Sequence, residues 1–162
     1  MATPSPAPEI HHEPSDDPRL ARAVRSIVCI GRVFEQVCRE TGVSLPQYRL
    51  LVFLRHGPGR AGELAAKVAV KRPTLTALVA GLEKEGRLRR IADETDGRGV
   101  RIEITSAGTE ALEDVERQLS RVVDHVCSLG ERDVLLHGFD EIAAILDDEF
   151  DRRIASGGVS ND

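Results

Sequence analysis

The 162-residue sequence predicts a mainly α-helical protein with one small β-hairpin. Three observations support this fold class. Along most of the chain, apolar residues recur at spacings of three and four, which is typical of amphipathic helices. Only residues 87–92 and 100–104 have the length and turn-rich boundaries of paired strands. Aromatic residues make up 3% of the chain, so the core must come from Leu, Val, Ile and Ala, which suits packed helices.

The charge is segregated along the chain. The net charge is −5, yet residues 19–105 carry 17 basic and 9 acidic residues, a formal charge of +8. Residues 106–162 carry 5 basic and 14 acidic residues. Because binding to a polyanion depends on the local patch, an acidic total does not exclude DNA as a partner.

The cysteines and hydropathy predict a cytoplasmic protein. Cys29, Cys38 and Cys127 form no CxxC pair and no even disulfide framework, which favours a reducing compartment. No apolar run approaches the roughly 18 residues of a membrane span, and the N-terminus lacks the pattern of a signal peptide. We therefore expect no membrane partner.

The first part of the chain is expected to hold a tail and two helices. Residues 1–18 are Pro-rich and acidic and are expected to be a disordered tail, as are residues 155–162. Residues 19–43 are expected to hold an amphipathic helix that ends before Gly42. A second helix opens at Ser44 and Pro46 and has an apolar core. Its core residues are Leu50, Leu51, Phe53 and Leu54.

Gly57, Gly59 and Gly62 satisfy the G-x-G-x-x-G pattern of dinucleotide-binding loops. That interpretation requires a preceding strand and a βαβ unit, whereas a helix precedes here. The glycines are therefore expected to form a turn between helices, and no cofactor is expected.

Residues 61–84 predict two helices joined by a three-residue turn, the second beginning at Pro73. One face of the second helix carries Leu75, Leu78, Val79 and Leu82 as core. The opposite face carries only small residues, Thr74, Thr76, Ala77 and Ala80, and Lys71 and Arg72 precede it. This is the pattern of a helix-turn-helix.

The residue types of the second helix suit DNA. Small outward residues let a helix enter a major groove about 12 Å wide, and threonine hydroxyls reach base edges and phosphates. Lys71 and Arg72 are unfavourable beside the positive end of a helix dipole unless a phosphate neutralises both. A plain helical hairpin leaves this charge placement unexplained.

Residues 87–92 and 100–104 predict a hairpin whose tip spans 93–99. Val100, Ile102 and Ile104 are expected to face inward, and Arg101 and Glu103 outward. Arg98 lies between Gly97 and Gly99, and after a recognition helix such a tip is a wing that reaches a minor groove. The predicted DNA-binding residues are Lys71, Arg72, Thr74, Thr76, Arg98 and Arg101.

The C-terminal residues 106–154 predict two long helices. After Thr105, apolar residues from Leu112 to Leu129 follow a heptad spacing, and a final helix carries a further apolar set. Neither helix is expected to bury its apolar face against the DNA-binding part alone, so a homodimer is predicted. The expected dimerisation residues are Leu20, Ile27, Leu112, Leu119, Val126, Ile142 and Leu146.

From about Leu45 to Gly108 the sequence resembles the MarR (multiple antibiotic resistance) family of winged helix-turn-helix transcriptional regulators. The resemblance rests on L-P-Q-Y-R-L-L, on the stretch from G-E-L-A-A-K to E-G-R-L-R-R, and on D-x-x-D-x-R followed by I-T-x-A-G. It implies a winged helix-turn-helix at 44–105, flanked by N- and C-terminal dimerisation helices. It further implies a homodimer that binds a pseudo-palindromic operator, usually as a repressor.

The sequence departs from the family pattern at three places. Lys71 stands where a serine is frequent, Ala77 where an arginine is frequent, and Gly97-Arg98 where two arginines are frequent. These departures imply fewer charge contacts with DNA or a different operator preference. A helical dimeric adaptor with weak or lost DNA binding is therefore the first alternative.

The resemblance also implies an effector site for a small aromatic or anionic molecule. Its candidate residues are Arg25, Arg32, Tyr48 and His56. A thiol-based redox-responsive regulator is the second alternative, although Cys29 and Cys38 lie on opposite sides of one helix. The sequence shows no nucleophile–base pair and no metal-binding cluster, so neither an enzyme nor a metal site is expected.

Overall fold

The computed structural model describes residues 16–93 and 99–155, with side chains described as far as Asp148. The described residues form helices α1 (Pro18–Glu40), α2 (Leu45–Arg55), α3 (Ala61–Val68), α4 (Arg72–Lys84), α5 (Ser106–Ser128) and α6 (Arg132–Ala155), and strands β1 (Gly59–Arg60), β2 (Leu88–Ala92) and β3 (Val100–Ile104). The mainly helical fold with a small hairpin is confirmed. Within the described ranges, no helix combines the length and hydropathy needed to cross a membrane.

The described chain divides into two compact units, with the boundary between Val33 and Phe34. The first unit is the N-terminal part of α1. At its start, Asp17 accepts a hydrogen bond from the Arg19 backbone at 2.9 Å. The Arg19 side chain also binds this carboxylate and holds the pKa of Asp17 below its usual value. Leu20, Val24 and Ile27 are exposed in this unit.

The core of the second unit is made by the helices of the predicted DNA-binding part together with α5. The buried leucines of α2 join Val79 and Leu82 of α4 in one apolar cluster. Leu112 and Leu119 of α5 belong to the same cluster and are 0% and 5% exposed. These two residues therefore pack within the chain and are not available at a dimer surface, contrary to the sequence prediction. A heptad spacing identifies a buried seam but does not say which partner covers it.

The strands form one antiparallel sheet in the order β1-β3-β2. Strand β1 was not predicted, because two residues are too few to show an alternating pattern. Gly59 pairs with Ile102 and Arg60 with Arg101, so Gly59 lies in a strand and not in a helix-to-helix turn. A Cβ on Gly59 would lie 2.9 Å from Leu64 Cδ2. Helix α3 therefore approaches this position too closely for a larger residue than glycine.

The apolar face of the hairpin is covered only along part of its length. Ile102 is buried and Ile104 is half-buried, as predicted. Val100 is 51% exposed, which corrects its predicted inward position. It pairs with Ala92, also exposed, at the end of the hairpin farthest from the start of α5. The helices therefore cover this face no farther than Ile102.

The start of α5 is fixed to the start of β2. Thr105 caps α5 by accepting a hydrogen bond from Gly108 N at 3.1 Å, and its hydroxyl donates to Gly86 O at 2.7 Å. A Cβ on Gly108 would lie 2.1 Å from Arg87 O, so only glycine allows this approach. The contact fixes the base of the hairpin relative to the core.

Candidate nucleic-acid interface

The α3–turn–α4 segment has the geometry of a helix-turn-helix. Ala69, Val70 and Lys71 separate the two helices, as predicted. Ala69 adopts a left-handed conformation with φ 57°, and its backbone N–H donates to Ala66 O at 3.0 Å. The next amide, that of Val70, donates to Ala65 O at 3.0 Å. These two bonds end α3 and turn the chain into α4.

Helix α4 has one buried face and one exposed face that carries only small side chains. Leu75, Val79 and Leu82 are buried, and Leu78 is half-buried. On the other side, the small residues Thr74, Thr76, Ala77 and Ala80 are all exposed. The four apolar residues hold the helix against the core, and the small residues leave its backbone open to a close approach by a groove.

The N-terminus of α4 is basic and lacks a side-chain cap. Lys71 occupies the N-cap position, its side chain makes no capping hydrogen bond, and the first turn contains no acidic residue. Lys71, Arg72 and Thr74 are exposed there. The positive end of the helix dipole therefore coincides with two cationic side chains, which suits a phosphate.

Two of the predicted contacts are constrained by neighbours. The Thr76 hydroxyl donates its hydrogen to Arg72 O at 3.0 Å. Toward any further partner, the Thr76 hydroxyl oxygen can therefore act only as a hydrogen-bond acceptor. Arg72 extends toward α3, because its Nη2 lies 3.6 Å from the position that a Cβ on Gly62 would occupy.

One ion pair joins the two strands of the hairpin, and another joins the hairpin to α4. Arg89 binds Glu103 across the strands at 2.6 Å, and Arg90 binds Glu83 of α4 at 2.9 Å. These arginines are exposed, so each pair contributes less than about 1 kcal/mol and acts mainly on orientation.

A buried acid, which the sequence analysis missed, anchors the base of the wing. The Asp93 carboxylate accepts a hydrogen bond from Arg60 Nε at 2.7 Å, and Asp93 is 2% exposed. Its backbone N–H donates to Gly99 O at 2.9 Å across the hairpin. The sequence showed Asp93 only as a turn residue, because a local pattern cannot reveal a partner 33 positions away. The predicted wing-tip contact, Arg98, lies outside the described residues.

Arg101 is not placed with the predicted DNA contacts. Its side chain is half-buried, and its Nη2 donates a hydrogen bond to Pro58 O. The guanidinium thus turns toward the start of β1 and lines a cavity there. The alternation along β3 correctly placed Arg101 and Ile102 on opposite faces of the strand. At Arg101, however, that opposite face is partly covered by the protein. The predicted outward orientation of Arg101 is therefore corrected, while its role in DNA binding stays a prediction.

The predicted effector residues do not form one site within the second unit. Tyr48 is half-buried in α2, where burial first, and then the charge of Glu116, raises the pKa of its phenol. Glu116 also binds Arg55, so an ion pair joins α2 to α5 beside the ring. His56 follows α2 and lines the cavity near Arg101, which Tyr48 does not line. Arg25 and Arg32 are exposed residues of the first unit.

The cysteines do not show the features of a reactive thiol pair. Cys29 is exposed, whereas Cys38 and Cys127 are buried. Burial first, and then Glu35, raises the pKa of the Cys38 thiol, which disfavours the reactive thiolate. In the described ranges, no group of three His, Cys, Asp or Glu residues is arranged to hold a metal ion.

Comparisons with known proteins agree with this geometry. Residues 41–99 match the model of the MarR family. The chain is 32% identical over 99 residues to the uncharacterized HTH-type transcriptional regulator YcgE of Bacillus subtilis, and the alignment covers 59% of this chain and 64% of YcgE.

Among the solved structures that share the fold are CouR and NadR. The transcriptional repressor CouR, bound to a 23-mer DNA duplex, is 21% identical with a TM-score of 0.66, over 83% of this chain and 99% of CouR. NadR in complex with 4-hydroxyphenylacetate is 24% identical with a TM-score of 0.61, over 90% of this chain and 97% of NadR. The helix-turn-helix, the hairpin and the match over residues 41–99 agree, and this part of the chain is similar to the MarR family of winged helix-turn-helix proteins.

Proposed function

We propose that the protein is a sequence-specific DNA-binding transcriptional regulator that represses its target as a homodimer on a pseudo-palindromic operator. The observation that carries this proposal is the exposed face of α4. It combines small residues with the uncapped, basic N-terminus formed by Lys71 and Arg72. CouR shares the fold and is a repressor bound to duplex DNA, which supports the same use of the fold here.

The proposed wing contact depends on a fixed position for the residue that opens the tip of the hairpin, Asp93. The Asp93–Arg60 pair connects the end of β2 to the start of α3, so an ion pair with a buried carboxylate joins the wing to the helix-turn-helix. Arg98 is five residues beyond Asp93 in the sequence, and we propose that it enters the minor groove beside the site read by α4.

The proposed homodimer follows from apolar surface that each unit leaves uncovered. In the second unit, α6 exposes Leu135, Phe139, Ile142 and Leu146 at spacings of four, three and four. In the first unit, Leu20 and Ile27 are exposed. Contiguous apolar surface of this kind is rare on monomers, and a second copy of the chain is the commonest partner that covers it.

A small effector is proposed to release the DNA. NadR, which shares the fold, is known with 4-hydroxyphenylacetate bound. The buried Cys38 and Cys127 give no support to a thiol switch through those residues.

The test is fluorescence anisotropy with the full-length protein. A labelled duplex from the region upstream of its own gene is compared with a scrambled duplex of equal composition, between about 50 and about 200 mM salt. Tight binding to the native duplex, with a steep loss as salt rises, supports the regulator. Equal and weak binding to both duplexes, together with an empty genome-wide pull-down, would favour the adaptor.

A further inference from the structure

Several elements of the second unit meet at Arg87, which directly precedes β2. Its backbone N–H donates to Leu82 O of α4 at 2.9 Å, and its carbonyl accepts from the N–H of Thr105, the N-cap of α5, at 3.1 Å. Its side chain donates from Nη1 to Gly42 O, just beyond the end of α1, at 3.0 Å. Helices α1, α4 and α5 and the hairpin are therefore connected through one residue.

The bond to Gly42 is the one of these three that depends on the side chain at position 87. The bonds to α4 and α5 use the backbone N–H and C=O, which every residue except proline supplies in the same way. The bond to the end of α1, in contrast, requires a long side chain with a donor at its tip. The identity of Arg87 therefore controls the connection to α1 and leaves the other two bonds in place.

The end of α1 that Arg87 contacts has a defined geometry. Gly42 has φ 71°, its N–H donates to Arg39 O at 3.1 Å, and the N–H of Val43 donates to Cys38 O at 3.1 Å. This is the Schellman arrangement, which ends a helix on a left-handed glycine. The Gly42 carbonyl is therefore held in a fixed direction. A cation is also favourable here, because the C-terminal end of a helix dipole is negative.

A carboxylate orients the same guanidinium from the side of α4. Glu85 Oε2 lies 2.8 Å from Arg87 Nη1, and the Arg87 side chain is only 21% exposed. Glu85 is the C-cap of α4. One nitrogen of Arg87 thus contacts both the end of α4 and the end of α1, so it limits the movement of these two helices relative to each other.

This contact has a consequence for the proposed homodimer. Helix α1 begins in the first unit, where Leu20 and Ile27 are exposed and available to a second copy, and its last turn belongs to the second unit. The separation of the two α4 helices in a dimer then depends on how α4 is fixed to α1 within each protomer. We propose that the contact of Arg87 with Gly42 determines which half-site spacing the dimer accepts in its operator. This proposal rests on the proposed function, which supplies both the dimer and the DNA.

The test compares operator duplexes that differ in half-site spacing. Fluorescence anisotropy of the full-length protein is measured with the native operator and with duplexes that have one base pair inserted or removed between the half-sites. One base pair changes the separation of the half-sites by about 3.4 Å and their relative rotation by about 35°. The wild type should lose affinity by about tenfold or more on either altered duplex. Arg87→Met removes the donors but keeps an apolar stem, and it should lose about threefold or less.

Two further variants identify the contact as the cause. Arg87→Lys keeps a long side chain with a charged donor, so its loss of affinity on the altered duplexes should stay close to that of the wild type. Arg89→Met is the matched control, because Arg89 is two residues farther along the chain and binds Glu103 instead of α1. This control should also keep the wild-type loss.

The salt dependence separates positioning from a direct contact with DNA or a general loss of stability. Arg87→Met should bind the native operator with the wild-type slope of log affinity against log salt, because Arg87 neutralises no phosphate in the proposed complex. A protein that is merely destabilised loses affinity on all three duplexes alike. Thermal melting and light scattering identify a variant that fails to fold or to dimerise. If Arg87→Met is such a variant, Glu85→Gln replaces it and should reduce the spacing penalty in the same direction.

Hydrogen exchange without DNA measures the contact itself. Exchange of the Gly42 and Val43 amides should be faster in Arg87→Met than in the wild type and unchanged in Arg89→Met. The spacing proposal is overturned if the folded Arg87 or Glu85 variant keeps the full wild-type penalty, or if Arg89→Met reduces it equally. A wild type that binds no duplex specifically would refute the proposed function and the spacing proposal together, and the exchange data would still show whether Arg87 holds the end of α1.

Discussion

Asp93 shows how one buried side chain organises a functional surface. Its carboxylate pairs with Arg60, which lies at the start of α3, so the wing and the helix-turn-helix share a contact. The Asp93 side chain is buried while that of Arg60 is 45% exposed, so removing Arg60 would take an ion-pair partner from a buried carboxylate, whereas removing Asp93 would leave a cation that water can solvate. The wing base therefore depends on a residue that touches no DNA in the proposed complex.

The buried thiol of Cys38 predicts that the free energy of unfolding depends on pH. Burial and Glu35 raise its pKa from the ordinary value of 9.0, so the folded protein holds this proton more tightly than the unfolded chain does. The stabilising contribution is complete below the unfolded pKa and is lost as pH rises through the folded pKa. Chemical denaturation should show a decline in the free energy of unfolding above about pH 9 that Cys38→Ala reduces.

The control for this prediction is Cys29→Ala, at an exposed position of the same helix, which should leave the alkaline decline unchanged. Tyr48, whose pKa is also raised from an ordinary value of 10.0, contributes at still higher pH and in the same direction. An alkaline profile identical in the wild type and Cys38→Ala would show that this thiol is not the titrating group.

At the scale of elements, the turn between α3 and α4 determines where the recognition face lies. Ala69 ends α3 with φ 57°, a region that favours glycine because an L side chain is crowded there. Ala69→Gly should raise the free energy of unfolding by about 0.5 kcal/mol, after subtracting the entropy that glycine adds to the unfolded chain. Urea denaturation of the two proteins measures this difference.

The matched control is Ala66→Gly, three residues earlier and exposed within α3. The same substitution at this helical position should lower the free energy of unfolding by about 1 kcal/mol. The opposite signs separate a conformational effect of the turn from a general effect of glycine. If Ala69→Gly is as destabilising as Ala66→Gly, Ala69 does not adopt the left-handed conformation.

The sequence predicted elements whose signals are local. The second helix was expected from Ser44, whose hydroxyl accepts from Gln47 N at 3.4 Å, and the fifth from Thr105, which caps α5 in the same way. Residues with distant partners were missed or misplaced. Strand β1 exists only because β3 lies beside it, and Arg101 turns inward because Pro58 offers an acceptor there.

The expected dimer surface shows the same limit. Periodicity identified Leu112 and Leu119 as residues that must be covered, and they are, but by the core of their own chain. Val126, farther along α5, and Ile142 and Leu146 of α6 remain exposed. A pattern of apolar residues gives the face of a helix that avoids water, and only the tertiary structure says what that face contacts.

At the scale of the whole molecule, the exposed stripe on α6 predicts self-association. Ile142→Asp combined with Leu146→Asp should convert a dimer into a monomer, because two carboxylates cannot be buried unpaired in an apolar interface. Size-exclusion chromatography with light scattering measures the mass directly. The 17.7 kDa chain should elute at twice this mass as wild type and at the single mass as the variant.

Ala144→Asp is the control for the dimer. This residue is exposed on α6 but lies about 160° around the helix from Ile142 and Leu146 at 100° per residue, so the dimer should persist. A wild-type protein that is monomeric at micromolar concentration would contradict the proposed homodimer.

The central claim, that the N-terminus of α4 meets DNA phosphates, is tested most directly by the salt dependence of operator binding in Lys71→Ala. Lys84→Ala is the matched control, because Lys84 lies on the same helix at its other end. Loss of one phosphate contact should weaken binding and reduce the slope of log affinity against log salt by about 1 in Lys71→Ala. The slope should not change in Lys84→Ala, and equal slopes in both variants and the wild type would contradict this orientation of the helix on DNA.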